Sequence, residues 1–144
     1  MSGRTFLDTN VPVYVFDRDE PRKRQIAAEI LERAAASGGY SLSTQVLQEF
    51  YVSVTRKLAR GLSAAQALSA TQNLTTLHVV GIDTQMILRA IHLSQEHTFS
   101  LWDALIVQAA LEANCEILLT EDLQHGRQIQ GLRIENPFRE AAVE

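Results

Sequence analysis

The sequence predicts one α/β domain over residues 1–144, with a mainly parallel central sheet flanked by helices. Three observations carry that expectation. The chain has 144 residues, the size of one well-cored domain, and its 46% hydrophobic content against 21% charged supplies a core to bury. Short apolar runs alternate with segments whose apolar residues recur at helical spacing. The best short run, Ile117-Leu118-Leu119 within Glu116 to Thr120, is continuously apolar, as in a strand covered on both faces.

Taken in order, Thr5 to Leu7 reads as a short strand ending at Asp8, and Pro12 stands where the first turn of a helix tolerates proline. Pro21 opens a second helix, with Ile26, Ala27, Ile30, Leu31 and Ala34 on one face, and Gly38-Gly39 stops it. Tyr40 to Leu42 is the next strand, after which Ser43 or Thr44 can cap a helix striped by Val46, Phe50, Val54 and Leu58. Gly61 is read as the end of that helix. Ser63 to Thr75 forms another, and Leu77 to Val80 a strand. Asp83 caps a helix whose apolar residues are Met86, Ile87, Ala90, Ile91 and Leu93. Ser100 opens the helix that turns Leu105, Ile106, Ala109, Ala110 and Ala113 inward, and Leu132 to Ile134 is a short final strand.

Composition excludes several classes. No stretch approaches the ~20 apolar residues of a membrane span. Met1 to Asn10 lacks the basic and apolar regions of a secretory signal. A single cysteine, Cys115, can form no internal disulfide and reads as an inert buried thiol; a reducing, cytoplasmic location follows as the default. The 13 Lys+Arg against 17 Asp+Glu leave a net charge of −4, which on its own argues against a nucleic-acid partner.

The positions of individual acids say more. In open α/β sheets, ligands bind beyond the carboxyl ends of the strands. Asp8 closes the first strand, Asp122 follows the buried strand in Thr120-Glu121-Asp122, Asp103 lies in the first turn of its helix, and Glu49 is one turn into its own. Each also has a plain structural reading. Ser100-x-x-Asp103 has the form of a capping box, Asp8 and Asp122 can cap following turns, and Glu49 can be a solvated helix residue. Together they point elsewhere, because four carboxylates in one cleft repel unless a cation lies among them, and hard divalent ions accept an all-oxygen shell.

These same words carry a resemblance. Leu7-Asp8-Thr9-Asn10-Val11, the Glu49 helix, Leu101-Trp102-Asp103-Ala104-Leu105-Ile106 and Thr120-Glu121-Asp122-Leu123 stand in the order and rough spacing of the PIN-domain family. The chain most resembles its VapC-type ribonuclease toxins of bacterial toxin–antitoxin pairs, and the segment from Glu121 to Gly126 through Asn136-Pro137-Phe138 looks like one subgroup of them. The resemblance implies a parallel sheet sandwiched by helices. It implies that Asp8, Glu49, Asp103 and Asp122 are metal-binding acids, with Asn10 and Thr120 as polar helpers, and Thr-x-Asp favours Asp122 over Glu121 as the inward carboxylate. Asp8 and Asp103 are the expected direct ligands; Glu49 and Asp122 bind directly or through water. The implied cofactor is Mg²⁺ or Mn²⁺, one or two ions, and the implied reaction is hydrolysis of RNA phosphodiesters by a metal-activated water. A cognate antitoxin blocking the acids and a homodimer are the implied partners. One ion would bring the formal charge to about −2 and two to about zero, so the net of −4 is a poor guide.

Two basic clusters are candidates for holding RNA: Arg22-Lys23-Arg24, and Arg56-Lys57 with Arg60, placed by helical spacing on the helix of Glu49. Solvated surface is the competing reading for both. His78, His92, His97 and His125 are too scattered for a zinc site; His125 can border the cleft but reads better as a surface residue. Trp102 could stack on a base, although core packing or a dimer contact suits it better, and Tyr14-Val15-Phe16 is an apolar patch suited to an interface. Two other functional classes compete with the nuclease: an inactive PIN-like module acting through a protein partner, and a phosphotransfer domain with Asp8 as nucleophile. The latter is disfavoured because Asn10 stands where its second acid would be and the only lysines are Lys23 and Lys57.

Overall fold

Six strands form one sheet in the order β3-β2-β1-β4-β6-β5, parallel except for β5, which pairs antiparallel with β6. The computed structural model describes residues 4–140, so both ends of the expected 1–144 domain, including Met1 to Gly3 of the stretch searched for a signal, lie outside the described residues. The strands are β1 Thr5–Leu7, β2 Tyr40–Ser43, β3 His78–Val80, β4 Ile117–Leu119, β5 Gln128–Ile129 and β6 Leu132–Glu135. The helices are α1 Asn10–Tyr14, α2 Pro21–Ser37, α3 Thr44–Val52, α4 Ala64–Leu74, α5 Thr84–His97 and α6 Leu101–Glu112. Among the described residues no helix is long and apolar enough to cross a membrane.

β1 is the pivot. It pairs with β2 on one side and β4 on the other, so the strand order reverses at the carboxyl ends of β1 and β4. Alternation along β1 sends Phe6 into the larger core with Phe50, Leu118 and Ile134, and Leu7 into a smaller one with Val11, Ala27, Ile30 and Phe138. The sheet therefore has an apolar layer on each face. α6 is the central helix of the larger layer: Ala104 to Ala110 are buried without interruption, which suits its nearly all-apolar sequence.

Several local expectations change. On α5 only Met86, Ala90 and Leu93 are buried, while Ile87 and Ile91 are 38% and 37% exposed, because α6 covers a single face of the helix. The Ser100 hydroxyl accepts from the Asp103 amide, but the Asp103 carboxylate makes no return bond; the reciprocal capping box lies instead at Ser63 and Gln66 on α4. β5 has no counterpart in the sequence reading, since two residues are too few to show a period.

The helix bearing Glu49 does not run to Gly61. α3 passes into a π-turn at Ser53–Lys57 and the chain leaves it at Leu58, so Arg60 lies beyond the helix. Gly61 has another task. A Cβ there would stand 2.9 Å from the Thr55 carbonyl oxygen and 3.2 Å from that of Val54. The returning chain is thus pressed against the π-turn, and the Leu62 amide donates to the Val54 carbonyl at 2.8 Å. Gly61→Ala is expected to cost about 1–3 kcal/mol by displacing this segment, measured by urea unfolding; an unchanged midpoint would show that the contact yields freely.

Candidate active site

The carboxyl ends of β1 and β4 put Asp8 and Thr120 side by side although 112 residues separate them. Asp8 is only 5% exposed. Its Oδ1 accepts from the Thr9 amide at 2.7 Å and its Oδ2 from the Thr120 hydroxyl at 2.7 Å. Burial nevertheless dominates: it pushes the Asp8 carboxyl up to about 7 against those two bonds, and the charges of Asp122 and Glu49 push the same way. Asp8 therefore caps no helix with its side chain; it is an acid forced below the floor of a cleft.

The other acids gather round it. Ser43 caps α3 by accepting from the Val46 amide, and this orients the turn that presents Glu49. Glu49 Oε1 accepts from the Thr9 hydroxyl at 2.6 Å and Oε2 from Gln45 Nε2 at 3.2 Å. The same Gln45 amide donates to the Trp102 carbonyl at 3.2 Å, tying α3 to the first turn of α6 just before Asp103. Asp122 accepts from Asn10 Nδ2 at 3.1 Å, and its amide donates to the Thr120 hydroxyl at 3.0 Å. Its carboxyl is raised by burial first, then by the charges of Asp103, Glu121 and Glu49. Asp8, Glu49, Asp103 and Asp122 thus share one electrostatic neighbourhood, with Asn10 and Thr120 as direct hydrogen-bonding partners within it.

Between Asp122 and Glu121 the fold discriminates clearly. Glu121 turns away to α2, where Lys23 Nζ lies 2.6 Å from its Oε2, and it also accepts from the Tyr14 hydroxyl. That bond raises the Lys23 ammonium above its ordinary range, while burial and Glu121 raise the Tyr14 phenol. With its neighbour held this way, Asp122 is left to Asn10 and the cleft.

Beside the acids opens a cleft of about 590 Å³, lined by residues that include Asn10, Tyr14, Asp17, Glu49, Lys57 and Asp122. Asp17 is an additional acid that sequence reasoning missed; it follows a short helix at no strand end, so no positional rule marks it. Gln45 was missed too, since nothing in its spacing shows that it bridges Glu49 to Trp102. The Asp103 carboxylate has no hydrogen bond or ion pair among the described residues.

The basic clusters are redistributed. Lys23 is committed to Glu121, Arg22 donates to the Phe138 carbonyl at 2.8 Å, and Lys57 lines the cleft. Trp102 is 63% exposed rather than packed in the core. The Tyr14-Val15-Phe16 patch is partly used internally, Tyr14 packing edge-on against Phe138 and Phe16 against Phe50. Exposed His125 accepts from the Asn136 amide, and buried Cys115 has its thiol pushed up to about 11 by that burial.

Among the described residues, no three acidic, histidine or cysteine side chains are drawn together into a ready ligand shell. Like charges hold the carboxylates apart on separate hydrogen-bond partners. The donor chemistry still fits a hard divalent cation: every candidate donor is a carboxylate oxygen, and Asp8 is buried at a cost that a neighbouring cation would reverse.

A doubly covered parallel sheet with carboxylates at its switch point defines an α/β domain with its acids gathered where such sheets bind ligands. The family can be stated more closely. Residues 5–128 match the PIN domain model, and the chain belongs to the PIN-domain family. Its fold is shared with a toxin–antitoxin complex from Klebsiella pneumoniae, 23% identical with a TM-score of 0.68 over 94% of this chain and 99% of that one. VapBC2 from Rickettsia felis, solved with a DNA fragment from its promoter, is 23% identical with a TM-score of 0.65, covering 92% and 97%. VapC20 from Mycobacterium tuberculosis, a toxin that cleaves the sarcin–ricin loop, is 16% identical with a TM-score of 0.63, covering 79% and 86%. No curated protein sequence matches the chain.

Proposed function

We propose that the protein is a metal-dependent endoribonuclease, the toxin of a bacterial toxin–antitoxin pair. The observation that carries this reading is Asp8: an acid buried at the sheet's switch point, raised to about 7, with Glu49 and Asp122 close enough to add to that rise and Asp103 acting in turn on Asp122. Membership of the PIN-domain family and the shared fold with VapC20, a toxin that cleaves RNA at the sarcin–ricin loop, support it.

Asp8 and Asp103 would hold Mg²⁺ or Mn²⁺ directly, with Glu49 and Asp122 binding directly or through water; one ion or two fits the donor set. When bound, the metal lowers the pKa of a water and neutralises phosphate charge. The chain's own residues do the positioning. Thr120 and the Thr9 amide fix both Asp8 oxygens, Thr9 and Gln45 fix Glu49, and Asn10 holds Asp122. Lys57 lies on the cleft wall, where a cation can meet the RNA backbone. The fold shared with the Klebsiella and Rickettsia toxin–antitoxin complexes supports an antitoxin as the protein partner. A homodimer working in the cytoplasm completes the reading.

The decisive experiment incubates total RNA with the protein in Mg²⁺ or Mn²⁺, in EDTA, and with Asp103→Asn, and maps the ends produced. Discrete new ends are expected only with wild type and metal. Equal cleavage in EDTA, or by Asp103→Asn, would overturn the assignment.

A further inference from the structure

Three arginines from separate parts of the chain face one cavity, and none of them has an acidic partner among the described residues. Arg18 follows α1, Arg24 lies in the first turns of α2, and Arg60 follows the π-turn; together with Phe16, Leu62 and Gln66 they line a space of about 220 Å³. Arg24 Nε donates to the Val15 carbonyl at 3.3 Å, which anchors its guanidinium and leaves its terminal nitrogens uncommitted. Arg18 and Arg60 make no side-chain hydrogen bond or ion pair among the described residues. Gly61, pressed against the Thr55 carbonyl, fixes where Arg60 emerges.

The cavity and the acid cleft share no lining residue, but near neighbours in the chain line the two at two places. Asp17 lines the cleft and Arg18, the next residue, lines the cavity; Lys57 lines the cleft and Arg60, three residues on, lines the cavity. We propose that Arg18, Arg24 and Arg60 form a phosphate subsite that grips the backbone of an RNA strand whose neighbouring phosphate lies in the acid cleft. This rests on the nuclease reading above and extends it by naming where the strand is held. Unpaired guanidinium forks match the oxygens of a phosphodiester. A chain carrying −4 net charge also needs a local concentration of cations to hold RNA beside its acids. An acidic peptide would satisfy the arginines too, but the closeness in the chain of Asp17 to Arg18 and of Lys57 to Arg60 favours a ligand that continues from the cavity to the cleft.

The test compares wild type, Arg18→Gln/Arg60→Gln, and a control of equal charge loss on exposed arginines elsewhere, Arg33→Gln/Arg139→Gln. Gln keeps most of the aliphatic stem, and matched thermal midpoints confirm folding. With a single-stranded RNA substrate in Mn²⁺, the subsite variant is expected to raise KM about tenfold or more with little change in kcat. Its binding, measured in an Asp103→Asn background without metal, is expected to lose about 0.7 of log–log salt slope for each phosphate contact removed. The control should change neither. Unchanged KM and salt slope, or an equal change in the control, would overturn the subsite while leaving the nuclease reading intact. So would weakened binding of an acidic peptide at unaltered RNA affinity. Failure of wild type to cleave any RNA with metal is a different result, and removes the nuclease reading together with this extension of it.

Discussion

Asp8→Asn is expected to make the metal-free protein more stable at pH 8 while reducing RNA cleavage by at least about a hundredfold. The Asp8 carboxyl is raised to about 7 in the fold, against an ordinary value of 3.8, because burial penalises its charge. The sign follows. Below the ordinary value the group is protonated in both folded and unfolded chains and contributes nothing to the difference. As pH rises from there to about 7, the unfolded chain loses its proton first, and folding weakens. Above about 7 the folded state carries the whole penalty, about 4 kcal/mol when the displacement is converted. Asn removes that charge and keeps an acceptor for the Thr9 amide, although the Thr120 hydroxyl loses its own acceptor at a cost of about 1 kcal/mol. In EDTA at pH 8 the variant should therefore melt roughly 5–10 °C higher, and the advantage should vanish towards pH 4. Thermal melts across that range check it; a variant less stable than wild type at pH 8 would contradict the electrostatic account.

The second large effect is the converse. A divalent ion near Asp8 would offset the same penalty, so Mn²⁺ or Mg²⁺ should stabilise wild type by about 2.7 kcal/mol at a hundred times its dissociation constant. Asp8→Asn and Asp103→Asn should lose most of that increment, and EDTA should abolish it. Titration of the melting midpoint with metal at pH 8 is the measurement. Equal stabilisation of all three proteins would mean that the ion binds elsewhere. The two predictions are linked: the group that makes the metal-free fold costly at high pH is the group expected to make metal binding favourable.

Much of this site was legible in the sequence because its acids obey a positional rule. Asp8 and Asp122 follow short apolar runs that read as strands, and a strand's carboxyl end in a parallel sheet is where ligands meet the fold. Thr-x-Asp pointed to Asp122 over Glu121; in the fold Glu121 is drawn to Lys23 and Tyr14, while Asp122 accepts from Asn10. What stayed hidden depends on residues distant in the chain. Arg18, Arg24 and Arg60 belong to no common run, so counting neighbours along the chain grouped Arg24 with Lys23 and Arg60 with Lys57. The π-turn at Ser53–Lys57 shifted the phase of a stripe that had been extended to Leu58. Ile87 and Ile91 followed a helical period faithfully, but a period cannot tell which apolar face finds a partner. Gln45 shows the same limit, as its importance lies in touching Trp102 across 57 residues.

The pairing of β1 with β4 has a temporal consequence. Thr5 is registered with Ile117, and every residue between them forms a closed loop when that pair zips. Such distant closure is slow and entropically costly, so the central strand of the sheet waits for a partner synthesised much later. A nascent chain that has reached only α5 already contains Asp8 and Glu49 but neither Asp103 nor Asp122. Strand pairing, which completes the sheet, is also what brings Asp8 to Thr120. The gathering of these acids is thus coupled to completion of the fold: Asp8 meets Thr120, and with it the segment that bears Asp122, only once β4 has docked.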